Sequence, residues 1–380
     1  MPQSKNQKRG ILLPPAVGYS LQILFNLVRK NKIPPKYYLR LVAVTIINLI
    51  NWPFRNYERL FINPKYRRAG TEEEPVFILG HWRSGTTHLH NLLCQDNQMG
   101  YTTTFQSVFP DTLFNIAGRF IFKNFTKLLI PGTRKGDNVR LDPSLPQEEE
   151  FALGDKTPIC YYYYWMFPQK IIEYYNRFVR FEGIPRKQQL AWESDYKLLI
   201  EKSLINSGGQ RFLSKNPTNT ARIKVILDMY PNAKFIHIHR NPVEVFLSMR
   251  NFFKKMLPPL QMQSIEQDEL DDHTFTIYKN LMKDYFDQRG LIPAGNLVEL
   301  SFDALEENPE AILKDIYKKL NLTGFDGALP NFQSYLNKMG DYNKNKHYIS
   351  KIQLQRVQDE WGFAIDQLGY EFPQNIEILD

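Results

Sequence analysis

The chain has 380 residues, enough for one large α/β domain or two smaller ones, and its 43% hydrophobic and 14% aromatic content supports a real core and excludes a disordered chain. A net charge of +8 suits an anionic ligand, whether a nucleotide, a nucleic acid, a sulfated or phosphorylated donor, or an anionic lipid surface. The two cysteines, Cys94 and Cys160, have no metal-binding spacing, so no disulfide framework is expected and a reducing, cytoplasmic setting is the simpler one.

Residues 1–74 read as a helical extension, punctuated by lysines and by the proline pairs Pro14-Pro15 and Pro34-Pro35. The early proline pair interrupts any signal-peptide core, and no cleavage site follows it. Within 37–54 the apolar run Leu41 to Ile50 is about half a membrane span. It is read as a packing helix, with a helix lying on a membrane or against an apolar partner as the alternative. The α/β body, 75–380, opens at Val76 to Leu79, four apolar residues that read as a buried strand. Gly80 to Gly85 read as a tight loop and Thr86 to Cys94 as a helix start. Gly100 to Phe105 is a second short strand by its β-branched and aromatic content, and 112–130 has the apolar spacing of a helix.

A polar, turn-rich stretch from Pro131 to Pro146 leads into the acidic run Glu148, Glu149, Glu150. Tyr161 to Tyr164 follow, flanked by Cys160 and Trp165. Four consecutive tyrosines are not expected all to face one core, so some should line a cavity, with plain packing as the alternative. Further on, the pattern predicts a helix at 190–206, a strand at 210–214, helices at 220–229 and 242–249, and a strand at 234–239. An exposed acidic linker at 264–272, a helix at 273–289, a strand at 297–301 and a helix at 303–320 come next. A lysine-rich loop, 340–351, and a final helix, 353–368, close the chain. Strands alternating with helices predict an α/β fold with a parallel central sheet flanked by helices.

Two stretches carry the chemistry. The strand, glycine-bounded loop and helix start at 76–94 read as a phosphate- or sulfate-binding junction, because free backbone N–H groups and the helix dipole converge there, with an ordinary strand-to-helix turn as the alternative. The spacing Gly80-x4-Gly85-Thr86-Thr87 is close to the nucleotide pattern G-x-x-x-x-G-K-[ST], with Thr86 in place of the lysine and Arg83 as the nearest cation. The second stretch is the strand end at His239 and Arg240, followed by a helix carrying Ser248. In a parallel sheet both lie at carboxyl ends of strands, where ligands bind.

Together these motifs resemble the sulfotransferases that use 3′-phosphoadenosine 5′-phosphosulfate, of the P-loop-like sulfotransferase fold, and suggest a bacterial-type member. The family's 5′-phosphosulfate loop is similar to Arg83, Ser84, Gly85, Thr86 and Thr87 here. Its 3′-phosphate signature, an arginine at a strand end and a serine eight positions on, is matched by Arg240 and Ser248. Its basic strand end is matched by Lys215, and Phe302 falls where an aromatic often stands near the adenine. The resemblance spans about 76–320 and implies transfer of a sulfuryl group to an acceptor hydroxyl, with no metal and no nucleic acid involved.

The resemblance also implies roles. Arg83 and Lys215 would stabilise charge on the leaving oxygen, and Lys344 and Lys346 in the C-terminal basic loop are candidates to close over the 3′-phosphate, a solvated charge run being the alternative. The histidine that cytosolic small-molecule members carry after the basic strand end is absent; Asn216 and Pro217 stand there. Glu148, Glu149 and Glu150 are therefore the candidate general bases, with His81 and His347 behind them, and a solvated helix start is the alternative reading of the acids. The aromatic stretch and the apolar N-terminal helices point to an apolar acceptor such as a sterol or lipid alcohol, a carbohydrate being next. Two other readings compete: a P-loop nucleotide kinase or NTPase, and a non-catalytic nucleotide-binding protein at a membrane surface.

Overall fold

The computed structural model describes residues 15–66, 73–129, 132–133, 141–339, 347–371, 373 and 376–379. These fall into two units. One draws on Met1–Gly70, Thr102–Ser207 and Phe252–Glu266; the other on Thr71–Tyr101, Gly208–Asn251 and Gln267–Asp380.

The second unit holds the sheet. Strands β1 (Val76–Leu79), β2 (Met99–Gly100), β3 (Arg211–Lys215), β4 (Lys234–His239) and β5 (Leu297–Ser301) lie in the order β2-β3-β1-β4-β5, every pairing parallel. β1 is buried throughout, as a strand covered on both faces must be. One face of the sheet, with Val76, Ile78 and Ile236, packs on Leu89 and Leu92 of the helix Thr86–Leu93 and on Leu313 and Ile316 of the helix Pro309–Lys319. On β1 and β4, Phe77 stacks on Phe235 with ring centroids 5.7 Å apart. The chain builds one side of the sheet through β3, then crosses β1 to add β4 and β5. The strand order therefore reverses at β1, which puts the crevice of an open α/β sheet at its carboxyl end. A separate parallel pair joins β6 (His347–Ser350) to β7 (Ile376–Leu379).

The first unit is helical. Its N-terminal part is the helix Leu21–Lys30, capped by the Ser20 hydroxyl on the Ile23 N–H, and the helix Tyr38–Tyr57. Its core includes an ionic cluster: Lys202, fully buried, meets Glu58 at 2.7 Å, Asn63 at 3.0 Å and Asp111 at 3.2 Å. Burial alone would raise the Asp111 carboxyl, but Lys156, Lys202, Arg55 and Arg59 outweigh it and hold the group well below the usual range. Among the described residues, no helix is long and apolar enough to cross a membrane.

Several expectations need correction. The strand expected at 100–105 ends at Gly100, because Thr103 caps a helix, Thr104–Val108, through the Gln106 N–H. The acidic stretch expected as a linker is the start of the helix Gln267–Gln288; Asp268 and Glu269 occupy its first turn, where acids favour a helix. The helix at 303–320 is two, Phe302–Glu307 and Pro309–Lys319, with the Asn308 side chain capping the second. The four tyrosines are all buried, in a 3-10 turn, Tyr161–Trp165, enclosed on every side. Tyr163 donates to the Thr157 carbonyl at 2.6 Å, and Tyr162 donates to the Glu148 carboxylate.

Candidate functional site

The sheet unit gathers the anion-binding motifs. At the end of β1, Gly80 has φ +144°, and a Cβ there would lie 2.3 Å from the Ile238 carbonyl oxygen on β4. Only glycine lets the loop leave β1 this close to its neighbour. The Gly80 N–H donates to the Thr220 hydroxyl at 2.8 Å, which anchors the loop base. The loop then tightens: the Ser84 N–H reaches the His81 carbonyl at 3.2 Å. Arg83 adopts φ +72°, a left-handed conformation that costs a non-glycine residue energy and is held here by its surroundings. Gly85, at φ +88°, precedes the helix Thr86–Leu93 without a side-chain cap on the first turn. That leaves the N-terminus of the helix to accept an anion.

From this loop a line of contacts runs to the second motif. Arg83 Nε donates to Ser248 Oγ at 3.0 Å, across 165 positions of sequence. Gly85 lies against Phe302; a Cβ would come within 2.1 Å of its ring. The Arg240 guanidinium sits 4.9 Å from the centre of that same ring, a cation–π contact. Arg240 Nε also donates to Glu244 at 2.7 Å, an i,i+4 pair on the helix Pro242–Leu260. Arg83, Ser84, Gly85, Thr86, Thr87, Arg240, Ser248 and Phe302 therefore belong to one edge of one sheet.

Lys215 ends β3, buried, in register with Ile78 of β1. Asn216 follows it and serves the turn: its side-chain oxygen accepts from the Thr218 hydroxyl at 2.8 Å. Thr218 in turn accepts from Arg222 at 2.8 Å, a guanidinium almost fully buried. Burial lowers the pKa of the histidines of this edge. His81 is buried with Nδ1 facing the Trp82 carbonyl at 2.7 Å, so that nitrogen carries the proton; burial pushes its pKa down to about 4. His239 meets the Tyr370 hydroxyl at 2.7 Å, and burial together with neighbouring His237 lowers it to about 4. His90 is held well below its usual value by burial and by the charge of Lys215.

The acidic run belongs to the helical unit. Glu148 precedes the helix Glu149–Lys156, and all three acids are buried rather than solvated, which removes the reading of an exposed helix start. Glu149 accepts from the Tyr196 hydroxyl at 2.7 Å, and Glu150 accepts from the Tyr161 N–H at 2.9 Å. Lys344 and Lys346 lie outside the described residues, as does the His347 side chain. Among the described residues there is no cluster of three or more His, Cys, Asp or Glu that could hold a metal. Cys94 and Cys160 are free thiols. Three contributors to the sheet edge escaped the sequence: Thr220, Glu244 and Tyr370. Glu244 had a signal in its spacing from Arg240; the other two act across the fold and had none.

A family model described as the sulfotransferase family matches residues 75–327. Omega-hydroxy-beta-dihydromenaquinone-9 sulfotransferase Stf3 of Mycobacterium tuberculosis is 28% identical over 330 residues, covering 87% of this chain and 84% of that protein. The protein of the same name in Mycobacterium bovis matches to the same extent. Among solved structures, sulfotransferase STF9 from Mycobacterium avium aligns with a TM-score of 0.71 at 15% identity, over 93% of this chain and 91% of its own. STF1 from Mycobacterium tuberculosis H37Rv aligns with a TM-score of 0.61 at 15% identity, over 90% and 91%. At that identity the likeness to the solved structures is one of fold.

Proposed function

The chain belongs to the sulfotransferase family, and on that footing we propose that it takes the sulfuryl group from 3′-phosphoadenosine 5′-phosphosulfate and passes it to the hydroxyl of an apolar alcohol. The observation that supports this donor is the line of contacts from Arg83 through Ser248 and from Gly85 through Phe302 to Arg240. A donor with anionic groups at both its 5′ and 3′ ends needs two such grips on one edge. Thr86, where a triphosphate-binding loop has lysine, argues against a kinase.

In the reaction the acceptor oxygen attacks sulfur, the bond from sulfur to the bridging oxygen breaks, and the nucleotide leaves as the 3′,5′-bisphosphate. Negative charge grows on the bridging oxygen. Arg83, the N–H groups at the start of the helix Thr86–Leu93 and Lys215 are the groups assigned to stabilise it. Arg240 and Ser248 hold the 3′-phosphate by charge-assisted hydrogen bonds, and Phe302 offers its ring to the adenine. The acceptor proton goes to one carboxylate of Glu148, Glu149 and Glu150, since the family's usual histidine position holds Asn216. Lys344 and Lys346 are assigned to closure over the 3′-phosphate. The free thiols suit the cytoplasmic setting.

For the acceptor, the relative named for omega-hydroxy-beta-dihydromenaquinone-9 supports a lipid or sterol alcohol ahead of a carbohydrate. The test is to offer labelled donor to sterols, lipid alcohols, phenols and sugars. Label on the apolar alcohols is expected. Label on sugars alone would overturn the acceptor, and product-nucleotide binding that is unchanged in Arg83→Ala and Arg240→Ala would overturn the donor site.

A further inference from the structure

The helix Tyr38–Tyr57 is turned inside out. The side chains it buries are mostly polar: Asn48, Asn51 and Arg55, with Val44. Each polar group is matched. Asn48 accepts from the Gly18 N–H at 2.7 Å and donates to the Ala16 carbonyl at 2.9 Å. Asn51 accepts from the Thr112 hydroxyl at 2.7 Å, and Arg55 donates to the Asp155 carbonyl at 2.9 Å. The opposite face carries Leu39, Val42, Ile46, Leu49 and Ile50, all exposed, with Leu39 at 83%. A helix facing water shows the reverse arrangement.

A second helix of the same unit, Ile116–Leu129, extends this surface. It approaches Tyr38–Tyr57 closely at Gly118, where a Cβ would be 3.0 Å from the Phe54 Cβ, and the Phe54 and Phe122 rings meet edge-on at 6.0 Å. Its outer positions are again apolar and exposed: Ile116 at 89%, Phe120 and Leu128. Trp52, Tyr38 and Tyr57 are half exposed alongside, the residue types that settle at a lipid headgroup boundary.

Charge names the occupant. From Pro15 to Tyr66 the one acidic residue is Glu58, which is fully buried in the ionic cluster. Arg29, Lys30, Lys32, Lys36, Arg59 and Lys65 are exposed. The helix Ile116–Leu129 adds exposed Lys123 and Lys127 and has no acid. A second copy of the chain would set this cationic rim against itself, which opposes a symmetric dimer. An anionic bilayer takes both components, the apolar stripe into its headgroup boundary and the cations onto its surface. We infer that the helices Tyr38–Tyr57 and Ile116–Leu129 form a monotopic binding surface for an anionic lipid membrane. The inference rests on the helical unit alone and stands whether or not the acceptor is a lipid.

The test is cosedimentation of the full-length protein with vesicles of phosphatidylcholine alone or mixed with phosphatidylglycerol. Binding is expected to the anionic vesicles, to weaken in high salt, and to be slight on neutral ones. Lys36→Gln and Lys123→Gln should each weaken it about fivefold. The triple variant Ile46→Glu, Leu49→Glu, Phe120→Glu should abolish it while still binding adenosine 3′,5′-bisphosphate, which reports an intact fold. No binding of the unmodified protein to anionic vesicles overturns the inference, as does undiminished binding by the triple variant. A solution dimer that the same triple variant dissociates, without vesicle binding, would assign the surface to self-association instead.

Discussion

The loop at Arg83 and the acidic run at Glu148 both concentrate polar side chains, and the fold treats them oppositely. At the sheet edge Arg83 donates to a serine hydroxyl and Arg240 to a carboxylate one helical turn away. In the acidic run the carboxylates are enclosed and tied to the fold, Glu149 to a tyrosine hydroxyl from another helix and Glu150 to a backbone N–H. The difference teaches that exposure of a charged motif in sequence says little about its use. The cations Arg83 and Arg240 are half-buried, while the carboxylates of the acidic run are buried and bonded within the helical unit.

That contrast can be broken by experiment. The largest effect is expected from Glu148→Gln, Glu149→Gln and Glu150→Gln made singly. The residue that takes the acceptor proton should lower kcat by about 10² to 10⁴-fold with product-nucleotide binding intact. Full turnover in all three would make the run purely structural. Next, Arg83→Ala and Arg240→Ala should each weaken calorimetric binding of adenosine 3′,5′-bisphosphate on the order of a hundredfold. Affinity within a factor of about two of the parent would mean that the edge does not hold the phosphates. Gly85→Ala should cost roughly 1–3 kcal/mol in thermal or urea unfolding, because the new methyl meets the Phe302 ring and the backbone has positive φ. Phe302→Leu in the same chain should recover part of that loss.

The smallest effect at neutral pH is a linkage one. His81 and His239 have folded-state pKa values lowered from 6.5 to about 4, so the unfolded chain binds protons that the folded chain refuses. Stability is therefore fully present above about 6.5 and falls as the pH drops toward about 4. Glu299, pushed down to about 2 by neighbouring His237, 3.7 Å away, and by the Tyr285 hydroxyl that donates to it at 2.6 Å, adds a further loss below the ordinary carboxylate range. Urea unfolding at several pH values checks this. Stability unchanged from pH 7 to 4.5 would show that these histidines are solvated.

Much of the sheet edge was legible because its signals are local. Val76 to Leu79, the glycines at 80 and 85, and the strand ending at His239 each announce their conformation within a few residues. What failed was decided at longer range or by context. Tyr161 to Tyr164 could not be known to be enclosed on every side until Tyr175, Tyr174 and Phe253 were in place around them. Asp268 and Glu269 read as linker because acids alone do not distinguish a loop from a helix start; Leu270 and the buried positions after it do. The helix Tyr38–Tyr57 read as packing because its apolar run is real, and only its buried asparagines show which side faces inward.

Lys202 has a consequence for where this chain can be cut. Two of the groups that neutralise and bind its ammonium, Glu58 and Asn63, come from before residue 75, where the family match begins. A shortened chain starting there would leave that lysine, with Asp111 and Lys156, in a pocket stripped of one carboxylate and one amide. Removing one side of a buried ion pair typically costs about 3–5 kcal/mol. Expression of the matched segment by itself is thus expected to yield insoluble protein, and the minimal soluble fragment should begin ahead of Glu58.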